Sequence, residues 1–119
     1  MNALIKLTAL AVLAAQIAAP QWVQAEAVET PFAVGQAIAF DRNAGNCLSC
    51  HMIPGGELPG NVGPPLIQMK LRFPDRAVLR AQIWDAAVRN PNTVMPPYGR
   101  HSILTEDEID HVVDFIHSI

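Results

Sequence analysis

An all-α fold is predicted for this chain by three features of its 119 residues. Apolar side chains recur at spacings of three and four in three separate stretches, which gathers them on one face of a helix. Two loops dense in proline and glycine separate those stretches. No run of alternating apolar and polar residues reads as a strand, and no internal repeat is found.

The amino-terminal segment stands outside that fold. Lys6 is the only charge before a run from Leu7 to Ala19 that is apolar apart from Thr8 and Gln16, and Val23-Gln24-Ala25 then offers small residues before Glu26. This pattern predicts a secretory signal peptide over residues 1–25. An uncleaved anchor fits less well, because the run falls short of the ~20 residues a spanning helix needs. Cleavage leaves one domain, residues 26–119, in the periplasm and without a membrane span.

The first helix is expected from Pro31 to Arg42, with Phe32, Ile38, Ala39 and Phe40 as apolar positions and Gly35 small enough to admit a neighbouring helix. The second opens at Pro74-Asp75, where the aspartate caps free amides, and continues through Val78, Leu79, Ile83, Ala86 and Ala87 until Asn90-Pro91 stops it. The third opens on Thr105-Glu106-Asp107-Glu108, a capping-box pattern whose acidic first turn suits the helix dipole. Its apolar face is Ile109, Val112, Val113 and Ile116.

Between the first two helices lies Cys47-Leu48-Ser49-Cys50-His51, the Cys-x-x-Cys-His spacing of covalent haem attachment. Two thiols three positions apart reach the two vinyl groups of one porphyrin, and the adjoining histidine sets an imidazole nitrogen on the iron. A thiol-disulfide pair or half of a zinc site would share the Cys-x-x-Cys. The chain has no other cysteine to complete a zinc site, and no β-α-β pattern to support a thioredoxin-like one. The expected cofactor is therefore one covalent haem c. In a domain of this size the macrocycle also supplies apolar bulk around which short helices can pack.

The loop from Ile53 to Pro65 is long for a connector and carries Pro54-Gly55-Gly56, Pro59-Gly60 and Gly63-Pro64-Pro65. It is expected to wrap one side of the haem. Pro64 is the candidate acceptor for the imidazole's other nitrogen, and Leu66 the candidate apolar contact with the ring. The loop from Asn90 to Leu104 bears on the sixth iron position. Met95, in Thr93-Val94-Met95-Pro96-Pro97-Tyr98-Gly99, sits where paired prolines restrict the backbone, and is the expected axial ligand opposite His51; His101 is its main rival. Met52 adjoins the proximal ligand too closely, Met69 reads as core filler, and His111 and His117 read as surface or capping residues. His/Met ligation would fill the iron's coordination and favour one-electron transfer over oxygen or peroxide chemistry. No catalytic residue is assigned.

After signal removal, seven basic residues face eleven acidic ones, a net charge of −4 that argues against nucleic acid as a partner. Lys70, Arg72, Arg76 and Arg80 form a local basic cluster that reads either as a solvated face or as a docking patch for an acidic protein. Partner contacts are otherwise expected at Glu26 to Phe32 and at the loops around Gly55 and Tyr98, while Trp84 reads as core rather than interface.

Cys47-Leu48-Ser49-Cys50-His51 with Gly63-Pro64-Pro65-Leu66 and Met95-Pro96 resembles the class I cytochromes c, which implies three main helices packed around one haem. More particularly, Gly45-Asn46-Cys47, Asn90-Pro91-Asn92-Thr93-Val94-Met95-Pro96-Pro97-Tyr98-Gly99 and Ile103-Leu104-Thr105-Glu106-Asp107-Glu108-Ile109 resemble the SoxX family. These are small monohaem subunits of the SoxAX complexes of bacterial sulfur oxidation. The resemblance spans essentially the whole mature chain. It implies an electron-transfer subunit of an L-cysteine S-thiosulfotransferase, which joins thiosulfate oxidatively to a cysteine of a SoxYZ-like carrier. The implied partners are a haem-bearing SoxA-like subunit, where the sulfur chemistry occurs, the carrier, and a soluble cytochrome that accepts electrons. Two other readings stand beside it: a free-standing cytochrome c shuttle, and a haem enzyme or gas sensor with an open sixth iron position.

Overall fold

Thr30 and Pro31 start the first helix for reasons local to them. The Thr30 hydroxyl accepts from the Ala33 amide at 3.2 Å, and Pro31 occupies the first helical position, where no amide hydrogen is needed. The computed structural model describes residues 29–119, so the expected signal segment lies outside the described residues. Helix α1 runs Pro31–Phe40. It stops two residues short of the expected Arg42 because Asp41 becomes extended and its carboxylate accepts the Asn43 amide at 2.8 Å, a local turn that competes with another helical step.

Helix α4, Glu106–Ser118, is the element the others pack against. Its capping box is formed in both directions: the Glu108 amide donates to Thr105 Oγ1 at 3.2 Å, and the Thr105 amide donates to Glu108 Oε2 at 2.8 Å. Ile109, Val112, Val113, Phe115 and Ile116 are buried along it, each contributing about 1.5–3 kcal/mol on leaving water. Helix α1 crosses α4 at Gly35, where a β-carbon would strike the backbone carbonyl of His111 and lie 2.9 Å from Phe115 Cβ. Phe115 is held between Phe32 and Phe40, edge-on to both, with ring centroids at 5.1 and 5.7 Å.

A short helix α2, Met69–Arg72, was not foreshadowed by local signals. Tertiary bonds hold it: the Met69 amide donates to the Ile119 carbonyl at 2.7 Å, and His117 Nε2 donates to the Phe73 carbonyl at 2.9 Å. Helix α3, Arg76–Trp84, is capped as expected by Asp75, whose carboxylate accepts the Ala77 amide at 2.8 Å. It ends before the expected stop at Asn90-Pro91. Asp85 turns extended, its carboxylate takes the Ala87 amide at 3.1 Å and Arg100 at 2.8 Å, and Ala86–Val88 continue as a 3-10 turn. Among the described residues there is no strand, and no helix is long and apolar enough to cross a membrane.

Helices α3 and α4 are also joined by ion pairs. Arg76 Nε reaches Asp114 at 2.6 Å, and Arg80 bonds Asp110 at 2.8 Å and Glu106 at 3.2 Å. Arg72 donates to the Pro65 carbonyl at 2.7 Å. Two of the four residues in the basic cluster, Arg76 and Arg80, are thus paired with acidic side chains of α4, while Arg72 bonds an uncharged carbonyl. The Arg80 hydrogen bond holds the Asp110 carboxyl below its ordinary value of 3.8, with the Arg80 and Arg76 charges adding to the shift.

Gly35→Ala is expected to destabilise the fold by about 1–3 kcal/mol, toward the upper end because rigid backbone must yield; denaturant unfolding of the parent and variant measures it. Asp110→Asn should lose on the order of 1 kcal/mol at neutral pH, as a partly exposed pair does. The depressed carboxyl contributes stability above its ordinary value, and that contribution is lost as the pH falls through the lowered one. Unfolding midpoints of Asp110→Asn should therefore fall less steeply than the parent's on acidification below pH 3.8.

Candidate functional site

Asn46 opens the site with a left-handed backbone, φ 49°, a conformation asparagine accepts more readily than most residues. Its carbonyl receives both the Ser49 amide at 3.1 Å and the Ser49 hydroxyl at 2.8 Å, and Cys47–Ser49 form a 3-10 turn. The His51 amide then donates to the Cys47 carbonyl at 2.9 Å. This turn brings Cys47, Cys50 and His51 to one cavity of about 700 Å³, a size suited to a cofactor.

The loop after the histidine runs alongside the turn instead of leaving it. Gly60 donates to the Leu48 carbonyl at 2.7 Å, Gly63 to Cys50 at 2.8 Å and Leu66 to Met52 at 2.8 Å. Two glycines permit that approach. A β-carbon on Gly60 would strike the Ser49 backbone, and one on Gly63 would lie 2.6 Å from His51 Nδ1 and 2.9 Å from Nε2. The path ends with the Pro64 carbonyl 2.7 Å from His51 Nδ1. A carbonyl only accepts, so Nδ1 carries the proton and Nε2 keeps its lone pair.

The second loop meets the same cavity. The Thr93 hydroxyl accepts the Met95 amide at 3.1 Å, Gly99 donates to the Trp84 carbonyl at 3.1 Å, and Gly99 lies flat against the Trp84 ring where a side chain would not fit. Met95 lines the cavity with Cys47, Cys50, His51, Pro64 and Leu66. Met69 lines it too, but is 1% exposed in the core, and its sulfur accepts from Arg72 at 3.5 Å. Met52 and His101 do not line it. Tyr98 is buried, and its hydroxyl donates to the Gly45 carbonyl at 2.6 Å. Trp84 packs against the core.

The donor set fits a covalent haem better than its rivals. Burial is the main cause that pushes the Cys47 thiol up to about 11, with the neighbouring Cys50 adding to it; a redox-active thiol needs the opposite shift. No group of three or more His, Cys, Asp or Glu side chains among the described residues could hold a metal ion, which leaves the zinc reading without ligands. Two thiols and an imidazole with a free Nε2 at an apolar cavity suit a porphyrin joined to protein. Sequence reasoning missed Gly60, Gly63 and the inward turn of Tyr98. The glycines were visible as loop formers, but what each one touches depends on residues a dozen positions away.

Residues 35–116 match the protein family described as cytochrome c oxidase, cbb3-type, subunit III. No curated protein matches the chain. Among solved structures, the crystal structure of SoxXA from P. pantotrophus is similar, with 28% sequence identity and a TM-score of 0.64, covering 71% of this chain and 78% of that one.

Gly63→Ala is expected to force the His51 ring off the Pro64 carbonyl. The variant should bind less haem per polypeptide than the parent, and the haem it retains should show an altered axial-ligand spectrum; pyridine haemochrome assay and absorption spectroscopy check this.

Proposed function

We propose, from the premise that this chain belongs to the cytochrome c family described as cytochrome c oxidase, cbb3-type, subunit III, that it is the electron-relaying small subunit of a SoxXA-like complex. The chain is an electron carrier of the cytochrome c type with one covalent haem c. The observation that carries the finer reading is the 28% identity to SoxXA, spread over 71% of this chain and 78% of that one.

In this reading Cys47 and Cys50 would hold the haem by thioether bonds, His51 Nε2 and the Met95 sulfur would ligate its iron, and Pro64 and Leu66 would shape its surroundings. The haem, when bound, supplies a one-electron couple. The residues of the chain do the rest. Pro64 fixes the His51 tautomer and raises its basicity as a ligand. Met95, a soft thioether, favours the reduced state and closes the iron to exogenous ligands. The largely apolar lining would favour the form with less net charge.

Both cysteines are consumed by attachment, so none is left to carry substrate sulfur. The conjugation of thiosulfate to a carrier cysteine would then take place on a SoxA-like haem subunit, with a SoxYZ-like carrier as acceptor of the thiosulfonate group. This chain would pass the released electrons to a soluble cytochrome, and an exported, periplasmic location follows from the expected signal segment and from the chemistry of haem attachment. The match to the cbb3-type oxidase subunit III family favours a second reading, a cytochrome that delivers electrons toward a terminal oxidase without a Sox partner. A stable heterodimer with a haem-bearing partner in native extracts supports the first; a monomer at micromolar concentration supports the second.

Thiosulfate added to the chain with its haem-bearing partner and the carrier should reduce this haem, and omission of either should abolish the reduction. No reduction in the complete mixture would overturn the SoxXA-like role. Met95→Ala should remove the sulfur-to-ferric-iron charge-transfer band, lower the reduction potential and admit carbon monoxide to the ferrous protein; unchanged spectra would exclude Met95 as ligand.

A further inference from the structure

Met95 belongs to a loop whose other ties all lead back to one side of the cavity. Gly99 and Arg100 donate to the Trp84 carbonyl at 3.1 and 3.4 Å, and Arg100 pairs with Asp85 at 2.8 Å, so these bonds fasten the loop to the end of α3. Met95, Thr93 and Asn92 bond only within the loop. Among the described residues, one hydrogen bond joins the loop to the segment that carries the cysteines and His51. It is the 2.6 Å bond from the Tyr98 hydroxyl to the carbonyl of Gly45, two residues before Cys47 and 53 positions away in sequence.

We propose that Tyr98 is a positioning residue that latches the Met95 loop onto the haem-attachment segment and so sets how readily Met95 yields its place to another ligand; this rests on the reading of Met95 as the axial ligand. Three features make the latch stiff. Tyr98 is buried, and its own carbonyl receives the Ile103 and Leu104 amides at 2.9 and 3.2 Å, which fixes its backbone at the centre of the turn. Pro96 and Pro97 are all that separate Tyr98 from Met95, and two consecutive prolines, each with φ locked, transmit the position of one end to the other. Gly45 is itself anchored, its amide donating to the Ile38 carbonyl at 3.0 Å, so the acceptor cannot follow a departing loop.

Tyr98→Phe keeps the buried ring and removes the bond. The loss of one buried hydrogen bond corresponds to about a fivefold or larger shift in a local equilibrium. In the haem-loaded protein, Tyr98→Phe should therefore bind imidazole about fivefold or more tightly than the parent, with its sulfur-to-iron band intact before titration. Val113→Ala, in the buried core face of α4, serves as the comparison because it lowers global stability while leaving every hydrogen bond of the loop in place. It should leave imidazole affinity unchanged. Equal affinities for Tyr98→Phe and the parent, or an equal rise in Val113→Ala, would overturn the latch.

The chain contains one tyrosine, so the unaltered protein offers a second measurement should Tyr98→Phe fail to accumulate. Ultraviolet resonance Raman of the phenol should report a donated hydrogen bond that is lost with the same imidazole dependence as the displacement of Met95. A tyrosine signal that does not move during the titration would also overturn the latch. A parent protein with no sulfur-to-iron band would instead overturn the ligand reading, and the latch with it.

Discussion

The Pro64 carbonyl has only lone pairs to offer, so the His51 nitrogen 2.7 Å away must bear the proton, and the ring presents its other nitrogen as a base. Most of what surrounds the cavity serves that contact. The Pro64 carbonyl reaches the ring because Gly60 and Gly63 let their loop run against the Cys47 to Met52 backbone, where each step is secured by an amide-to-carbonyl bond of 2.7 to 2.8 Å. A side chain at Gly63 would occupy the space of the imidazole itself. The glycine and proline content of this loop is thus a packing requirement rather than a sign of looseness. Glycine permits contact, and proline limits the ways the chain can leave it.

The helices give that loop something fixed to lean on. Helix α4 supplies the buried face, α1 crosses it at Gly35, and the ion pairs of Arg76 and Arg80 join it to α3. These contributions differ in kind. The buried side chains of α4 provide most of the stabilisation through area removed from water, while the partly exposed ion pairs add little each and mainly set the helix register. The end of α3 has a further duty. By breaking at Asp85 rather than at Asn90, it frees a carboxylate to pair with Arg100 and a Trp84 carbonyl to receive Gly99. The Met95 loop is therefore seated on a helix terminus that the helical periodicity alone would have continued.

This division explains how a small domain supports electron transfer. Cys47 and Cys50 are committed to holding the cofactor, His51 is oriented from behind by a carbonyl, and Met95 approaches on a loop tied to the rest of the fold at few points. In the proposed reading, a rigid ligand on one side and a separately latched one on the other would keep reorganisation small when the charge on the site changes. Chemistry on substrate sulfur would need a free nucleophile, and the chain's cysteines are both used.

The Cys-x-x-Cys-His spacing, the caps at Thr30, Asp75 and Thr105, and the three- and four-residue periodicity of α3 and α4 were readable from sequence because each acts within a few residues of itself. The cofactor and the all-α fold followed from them, as did Met95 and Pro64 as candidates. The short helix at Met69, the break at Asp85, the pairing of Arg76 and Arg80 and the inward course of Tyr98 were not, because each depends on a partner far along the chain: Ile119, Arg100, Asp110 and Gly45 respectively. Local sequence determined which side chains and helix boundaries were available. Tertiary structure decided which of them meet, since hydrogen bonds and ion pairs between distant residues form only after helices have packed and brought them within about 3 Å.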